Sequence, residues 1–106
     1  MVEFFTSYTN FDTLYPIQRP TISLTGLQPY SEVRVYKNDM TEIAGIETIG
    51  NTTTFTAQYD YFTDIVGYIV IIADHFLVQR IENITFDIDG YTASIQQVID
   101  RQYENP

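Results

Sequence analysis

Apolar and polar residues alternate in short segments along most of the chain, with one long exception. The longest uninterrupted apolar run covers residues 66–73 and is rich in β-branched side chains. Such a run, followed at once by Asp74 and His75, favours a strand buried on both faces over a helix. We therefore predict that residues 66–73 form the central strand and that Asp74 and His75 close a hairpin.

Short segments that alternate apolar and polar residues or are rich in β-branched and apolar side chains predict further strands on both sides of the central one. These segments cover residues 20–25, 32–37, 41–47, 52–59, 76–81, 84–88 and 91–99. Between the last two, Asp89-Gly90 is a strong signal for a hairpin turn. About seven or eight short strands, separated by turns, predict an all-β Greek-key sandwich of the immunoglobulin-like or fibronectin-like kind.

The two ends of the chain do not follow these patterns. Residues 1–18 are aromatic but fit neither a period of two nor one of 3.6, and Asn10, Asp12 and Pro16 interrupt them. We predict a sandwich domain over residues 19–99 with two extended terminal arms. Residues 1–18 form the N-terminal arm, and residues 100–106 form a polar C-terminal tail that leads away from the domain. The N-terminal arm would cover an edge of its own sandwich or pack on a neighbouring subunit, since exposed rings are unfavourable in water.

Composition narrows the classes of function. The 106 residues include no Cys, which excludes disulfides and thiolate chemistry, and suit a single domain. Fourteen acidic against five basic residues give a net charge of -9, which disfavours nucleic acid and anionic membranes as partners. The first residues lack the features of a secretory signal, and the apolar run is shorter than the roughly 20 residues of a membrane-spanning helix. We expect synthesis in the cytoplasm.

The sequence contains few residue patterns that are typical of a catalytic site. His75 beside Asp74 resembles a base with its orienting carboxylate, but no Ser or Thr lies in a recognisable nucleophile elbow. Paired carboxylates for glycoside hydrolysis belong to much longer chains. We therefore predict a protein that is not an enzyme and that needs no cofactor.

Two groups of carboxylates are candidates for a cation. Asp87, Asp89 and Gly90 resemble the start of a calcium loop, but the bidentate Glu that completes such a loop is missing. A second group, which brackets the central strand, consists of Asp60, Asp64 and Asp74. Solvated carboxylates that keep an acidic protein soluble explain both groups as well. We predict no metal site, with Asp87 and Asp89 as the residues to examine.

Four aromatic residues around the start of the central strand suggest a different function. Stacked rings on a small β-sandwich are typical of sugar binding, and the candidates are Tyr59, Tyr61, Phe62 and Tyr68. The chain has no Trp, the residue that most often stacks on sugars, and the same rings also suit a core or a protein interface. A carbohydrate-binding or host-adhesion module is therefore the alternative function.

Four segments, taken in order, resemble a known group of proteins. They are residues 24–27, 32–36, 42–47 and the ending 95–106, which closes with Asp-Arg-Gln-Tyr-Glu-Asn-Pro. This pattern is similar to that of small immunoglobulin-like or fibronectin-like sandwich proteins encoded among the structural genes of marine tailed bacteriophages. The resemblance implies a virion component: a capsid decoration or cement protein first, and a head-to-tail or tail component second.

Partners and contact residues follow from this resemblance and from the apolar groups outside the periodic segments. The expected partners are the major capsid protein or other virion proteins, with homo-oligomer or lattice contacts between copies. The protein would be made in the bacterial host cytoplasm and end in the virion. The residues that we expect at interfaces are Phe4, Phe5, Tyr8, Phe11 and Tyr15 in the arm and Arg101 and Tyr103 in the tail.

Overall fold

A computed structural model describes residues 17–103, so the predictions made for residues 1–16 and 104–106 lie outside the described part of the chain. Seven strands and one short 3-10 helix form within the described residues. They are β1 (Thr21–Thr25), β2 (Glu32–Lys37), β3 (Glu42–Ile46), β4 (Phe55–Gln58), β5 (Ile65–Ile72), β6 (Gln79–Phe86), β7 (Tyr91–Ser94) and the 3-10 helix Arg101–Tyr103.

The strands form two sheets. The order is β4-β1-β7 in the three-stranded sheet and β3-β2-β5-β6 in the four-stranded sheet. Neighbouring strands are antiparallel except β1 and β7, which are parallel. The chain changes sheet four times, after β1, β3, β4 and β6, so that β1 pairs with β4 and β2 with β5. These crossed pairings are those of a Greek key, and the predicted all-β sandwich is confirmed.

The core lies between the two sheets and follows from the alternation in the sequence. Six side chains from β1, β2 and β5 are completely buried there: Ile22, Leu24, Val33, Val35, Ile69 and Ile71. Burial of each such side chain contributes about 1.5–3 kcal/mol to folding. Phe86 completes the core, with Tyr59 and Tyr91 against its ring at centroid distances of 5.7 and 5.8 Å.

The central strand is β5, as predicted, but its outer face is only partly covered. Tyr68 is buried on that face because Tyr36 lies beside it, at 5.2 Å between ring centroids, and the Arg80 guanidinium lies 4.0 Å above its ring. Val66 and Ile72, near the two ends of the strand, stay 45% and 39% exposed. Side chains of neighbouring strands therefore cover the middle of the outer face, and its ends remain open.

One predicted turn between two strands is absent from the described part of the structure. The sequence predicted two strands over residues 76–81 and 84–88, whereas β6 is a single strand. Between Gly67 and Ile69 the register of β5 against β6 shifts, and Asn83, opposite this point, has φ of 59°. The polar Asn83 therefore marks a bulge within one strand, where the polarity of the sequence had suggested a turn.

The Asp89-Gly90 turn forms, but the predicted hairpin does not. Asp87 pairs with Gly90 across the turn, and Gly90 has the positive φ of 84° that a tight turn favours. The strands that it joins, β6 and β7, belong to different sheets. β7 extends instead alongside β1, so the turn carries the chain across the sandwich.

The sandwich has two distinct ends. At one end, called here the arm end, are the loops 38–41, 59–64 and 87–90. There Gln18 pairs with Tyr61, so the chain enters the domain beside this loop. At the opposite end, called here the tail end, lie the loop 73–78 and the final segment 95–103.

Candidate interaction surfaces

The final segment folds back against the loop after β5. The N–H of Leu77 donates to the carbonyl of Val98 at 2.8 Å, and the N–H of Asp100 donates to the carbonyl of His75 at 2.9 Å. These bonds join the two segments as a short antiparallel ladder, and the 3-10 helix follows directly. The expected tail leaving the domain from residue 100 is therefore not what the structure has: up to Tyr103 the chain stays against the sandwich.

Two buried side chains anchor this segment. Ile95 is buried, and its N–H donates to the carbonyl of Thr25 at 2.8 Å. Gln97 is 8% exposed, and its Oε1 accepts from the N–H of Gln28 at 2.7 Å. Gln97 faces inward and Val98 outward, and the amide of Gln97 provides an acceptor for the backbone N–H of Gln28 in the turn after β1.

Three aliphatic side chains lie exposed on the anchored segments. Leu77 is 48%, Val78 61% and Val98 60% exposed. Together with Gln79, Arg80 and Gln96 they line a shallow cavity of about 320 Å³. We call Leu77, Val78 and Val98 the tail patch. Adjacent exposed aliphatic groups on a hydrogen-bonded backbone are typical of a protein contact surface.

An acidic cleft of about 430 Å³ also lies at the tail end. Its lining includes the carboxylates of Glu32, Glu47, Asp74 and Asp100 and the rings of Tyr30, His75 and Tyr103. The rings of His75 and Tyr103 pack at 4.2 Å between centroids. The tail end therefore combines an apolar patch with an acidic cleft that has aromatic walls.

The geometry of His75 does not support the base-and-carboxylate interpretation. His75 occupies a turn with φ of 71°, and its ring lies against Tyr103. Within residues 17–103 no hydrogen bond joins Asp74 to His75. The stack on Tyr103 gives this histidine a packing role at the turn.

Asp60, Asp64 and Asp87, from the two groups of carboxylates, accept hydrogen bonds from neighbouring groups. Asp87 Oδ1 accepts the N–H of Asp89 at 2.9 Å, so the two residues cap their own turn. Asp60 pairs with Arg19 at 3.1 Å, and Asp64 accepts the hydroxyl of Tyr61 at 2.8 Å. Asp74 lies at the opposite end of β5. In the described part of the chain no three His, Cys, Asp or Glu residues come together as metal ligands do.

The four aromatic residues suggested for sugar stacking do not share a surface. Tyr59 and Tyr68 are buried, whereas Phe62 is 71% exposed. Tyr59 donates its hydroxyl to the carbonyl of Asp87, and burial together with the negative charge of Asp87 raises the pKa of Tyr59 to about 12. The hydrogen bond to Asp64 raises the pKa of Tyr61. Tyr59 therefore lies in the core, Tyr68 on the outer face of β5, and Tyr61 and Phe62 at the arm end.

A groove runs along the side of the sandwich between β3 and β4, which belong to different sheets. Its larger cavity, about 480 Å³, lies at the arm end and is lined by Ile43, Phe62 and Ile65 among others. Its smaller cavity, about 280 Å³, lies toward the tail end and is lined by Ile46 and Phe55 among others. We call these two cavities together the edge groove. Both are open, and apolar atoms make up most of their exposed lining, although Lys37, Gln58 and Asp60 also line the larger cavity.

The predicted interface residues fall into two groups. Arg101 and Tyr103 are exposed in the 3-10 helix at the tail end, and Tyr103 also stacks on His75. The arm residues are outside the described part of the chain: Phe4, Phe5, Tyr8, Phe11 and Tyr15. Sequence reasoning missed the tail patch because Leu77 and Val78 were assigned to a strand. The signal that could have identified the tail patch is that Leu77 and Val78 are consecutive aliphatic residues, which breaks a period of two.

Comparisons with protein-family models, with curated proteins and with solved structures found no match for this chain. Within residues 17–103 no helix has the length and apolar character needed to cross a membrane.

Proposed function

We propose that this protein is a non-enzymatic structural component of a bacteriophage virion, and specifically a capsid decoration or cement protein. The observation that carries the proposal is the tail patch: three exposed aliphatic side chains on a segment that the sandwich holds in place by buried anchors. A decoration protein needs such a preformed contact surface, because a rigid surface loses little conformational entropy when it binds.

The proposal fits the rest of the described chain. The arrangement around His75 lacks the contacts of a catalytic dyad. The carboxylates at the arm end accept hydrogen bonds within their turn or form ion pairs with neighbouring residues. The net charge of -9 would favour a basic surface on the partner, and the acidic cleft lies at the same end as the tail patch. The resemblance to virion proteins supplies the particular class of partner, with the major capsid protein first.

Density-gradient fractionation of a phage lysate tests this function. An antibody raised against the purified protein should detect it in the band of intact particles, at a constant ratio to the major capsid protein across the band. Retention of the whole population at the top of the gradient, with the unassembled proteins, would overturn the proposal. A head-to-tail or tail component would also band with particles, but at a much lower ratio to the capsid protein.

A second test examines the tail patch itself. The variant Val78→Ser/Val98→Ser, added to particles that lack the protein, should bind at least about tenfold more weakly than the natural chain, since about 1.4 kcal/mol of lost apolar contact corresponds to that factor. Val66→Ser is the matched control, because Val66 is also exposed but lies on the outer face of the four-stranded sheet near the arm end. Equal loss in both variants would show that the tail patch has no special role.

A further inference from the structure

We propose that the edge groove binds the aromatic N-terminal segment, residues 1–16, of a second copy of this chain. This inference rests on the proposed function and deepens it, because it identifies one of the contacts between copies. The groove supplies apolar walls, the segment supplies aromatic side chains, and the point where the segment joins the domain determines which copy it reaches.

The edge groove has an apolar surface that the described residues leave open. Ile43 and Ile65 are half-buried in its larger cavity, and Phe62 stands 71% exposed on the rim. Among the described strands, β3 pairs only with β2 and β4 only with β1. Two strand edges with unpaired N–H and carbonyl groups therefore border an apolar groove, and this combination suits an extended peptide.

The N-terminal segment has the matching chemistry. Five of its residues are aromatic and one is leucine, namely Phe4, Phe5, Tyr8, Phe11, Tyr15 and Leu14. Only Glu3 and Asp12 carry charged side chains in this stretch. A segment of this composition gains free energy when its rings leave water, at about 25 cal/mol for each Å² of apolar surface that it buries.

The start of the described chain favours a second copy over the chain's own groove. Gln18 pairs antiparallel with Tyr61, and Arg19 pairs with Asp60 at 3.1 Å, so the first described residues are fixed at the arm end. The loop at Tyr61 continues β4 outward from the sandwich. Because residues 18–20 run antiparallel to it, the described chain enters the domain from the outer side of the arm end. The segment would have to reverse direction to enter its own groove.

Length supports the same conclusion. Sixteen residues in extended conformation span roughly 50 Å, at about 3.3 Å for each residue. The five residues of β3, which border the groove, span roughly 17 Å. A segment about three times longer than the groove has enough chain to leave one copy and cover the groove of the next.

The absence of cysteine permits a direct test by cross-linking. One chain, made larger by a solubility tag, carries Thr9→Cys in the segment, and an untagged chain carries Thr63→Cys beside the larger cavity. A short bismaleimide is added to the mixture, and products are separated by mass under denaturing conditions. The control pairs the same tagged chain with Thr85→Cys, an exposed residue of β6 at the opposite edge of the four-stranded sheet.

The expected product is a heterodimer of tagged and untagged chains, formed severalfold more with Thr63→Cys than with Thr85→Cys. Adding Phe62→Ser to the groove chain should lower its yield severalfold, because Phe62 is exposed and contributes little to folding. An intramolecular link in the Thr9→Cys/Thr63→Cys chain, without heterodimer, would overturn the inference and show that the segment covers its own groove. The inference would also be overturned if no cross-link formed within one chain or between two chains. The protein could still band with virions in either case, so the two proposals fail separately.

Discussion

The side-chain Oε1 of Gln97 accepts a hydrogen bond from the backbone N–H of Gln28 at 2.7 Å, and this contact joins the final segment to the turn after β1. The bond lies close to Ser31, whose hydroxyl donates to the carbonyl of Gln28 at 2.6 Å. Within the described residues Gln97 Nε2 has no protein partner. The amide is thus held through its oxygen, which accepts from the N–H of Gln28 and, at 3.4 Å, from the hydroxyl of Ser31, and these contacts fix the backbone that carries Val98 outward.

Replacement of this amide should loosen the tail end. Gln97→Leu leaves the N–H of Gln28 without an acceptor in a partly buried position, and we expect a loss of about 1–2 kcal/mol in the free energy of unfolding. Urea denaturation measures this loss. Gln96→Leu is the control, since Gln96 is exposed and should change stability by less than about 0.5 kcal/mol. Equal stability of the two variants would contradict the anchoring role of Gln97.

Gly67 should tolerate no larger residue. A Cβ atom at this position would collide with the backbone carbonyl of Tyr36 on the paired strand. Backbone cannot move aside as a flexible side chain can, so Gly67→Ala should destabilise the domain by about 2–3 kcal/mol or more. Gly50→Ala is the control: it has φ of 72° but open space around a Cβ, and should lose only about 1 kcal/mol. Thermal unfolding separates the two, and a smaller loss for Gly67→Ala than for Gly50→Ala would refute the close packing of β2 and β5.

The buried phenol of Tyr59 should make stability depend on alkaline pH. Its pKa rises from 10.0 to about 12 on folding, so the folded state favours the neutral phenol. The corresponding stabilisation is complete below about pH 10 and disappears as the pH rises through about 12. The stability of Tyr59→Phe should not show this part of the decrease at alkaline pH. At neutral pH its free energy of unfolding should be about 1 kcal/mol lower, because the hydrogen bond to the carbonyl of Asp87 is missing. Unfolding free energies measured from pH 8 to 12 test this, and parallel curves for the two proteins would exclude it.

The stack of His75 on Tyr103 provides a spectroscopic test of the docked tail. A ring 4.2 Å away shifts the imidazole protons of His75, the single histidine of the chain, so its NMR signals can be assigned without ambiguity. Tyr103→Leu should move these signals toward the values of an unstacked histidine. Tyr30→Leu, an exposed tyrosine in the same cleft, serves as the comparison. Unchanged signals in Tyr103→Leu would mean that residues 101–103 are not held against the loop in solution.

The sequence predicted the fold well wherever a single period governed a segment. The inward positions of β1 and β2 followed from alternation because each strand has one face toward the core, whereas the uninterrupted apolar run of β5 predicted the strand but not which of its faces is the inner one. The same reasoning could not recognise the bulge at Asn83, since one extra residue changes the period in the way that a turn does. Nor could it assign β7 to the three-stranded sheet, because the Asp89-Gly90 turn is compatible with a hairpin and with a crossing between sheets.

The contact surfaces were less predictable than the fold. Tyr103 stays a predicted interface residue, and its contact with His75 within the chain was not predicted, because the pairing of residues 98–100 with the loop 75–77 joins two segments far apart in sequence. Exposure of Val98 depends in turn on Gln97 reaching a backbone donor after β1. Such long-range contacts leave no periodic signal. The edge groove likewise depends on the spacing of two sheets, which no local pattern determines.

The number of copies in each virion tests the central claim most directly. Quantitative mass spectrometry of gradient-purified particles gives the ratio of this protein to the major capsid protein. A decoration protein predicts a copy number comparable to that of the capsid protein, because its contacts repeat with the shell lattice. A copy number of a few, set by the ring symmetry of a tail, would indicate the head-to-tail or tail alternative. Absence of the protein from purified particles would contradict the claim that it is part of the virion.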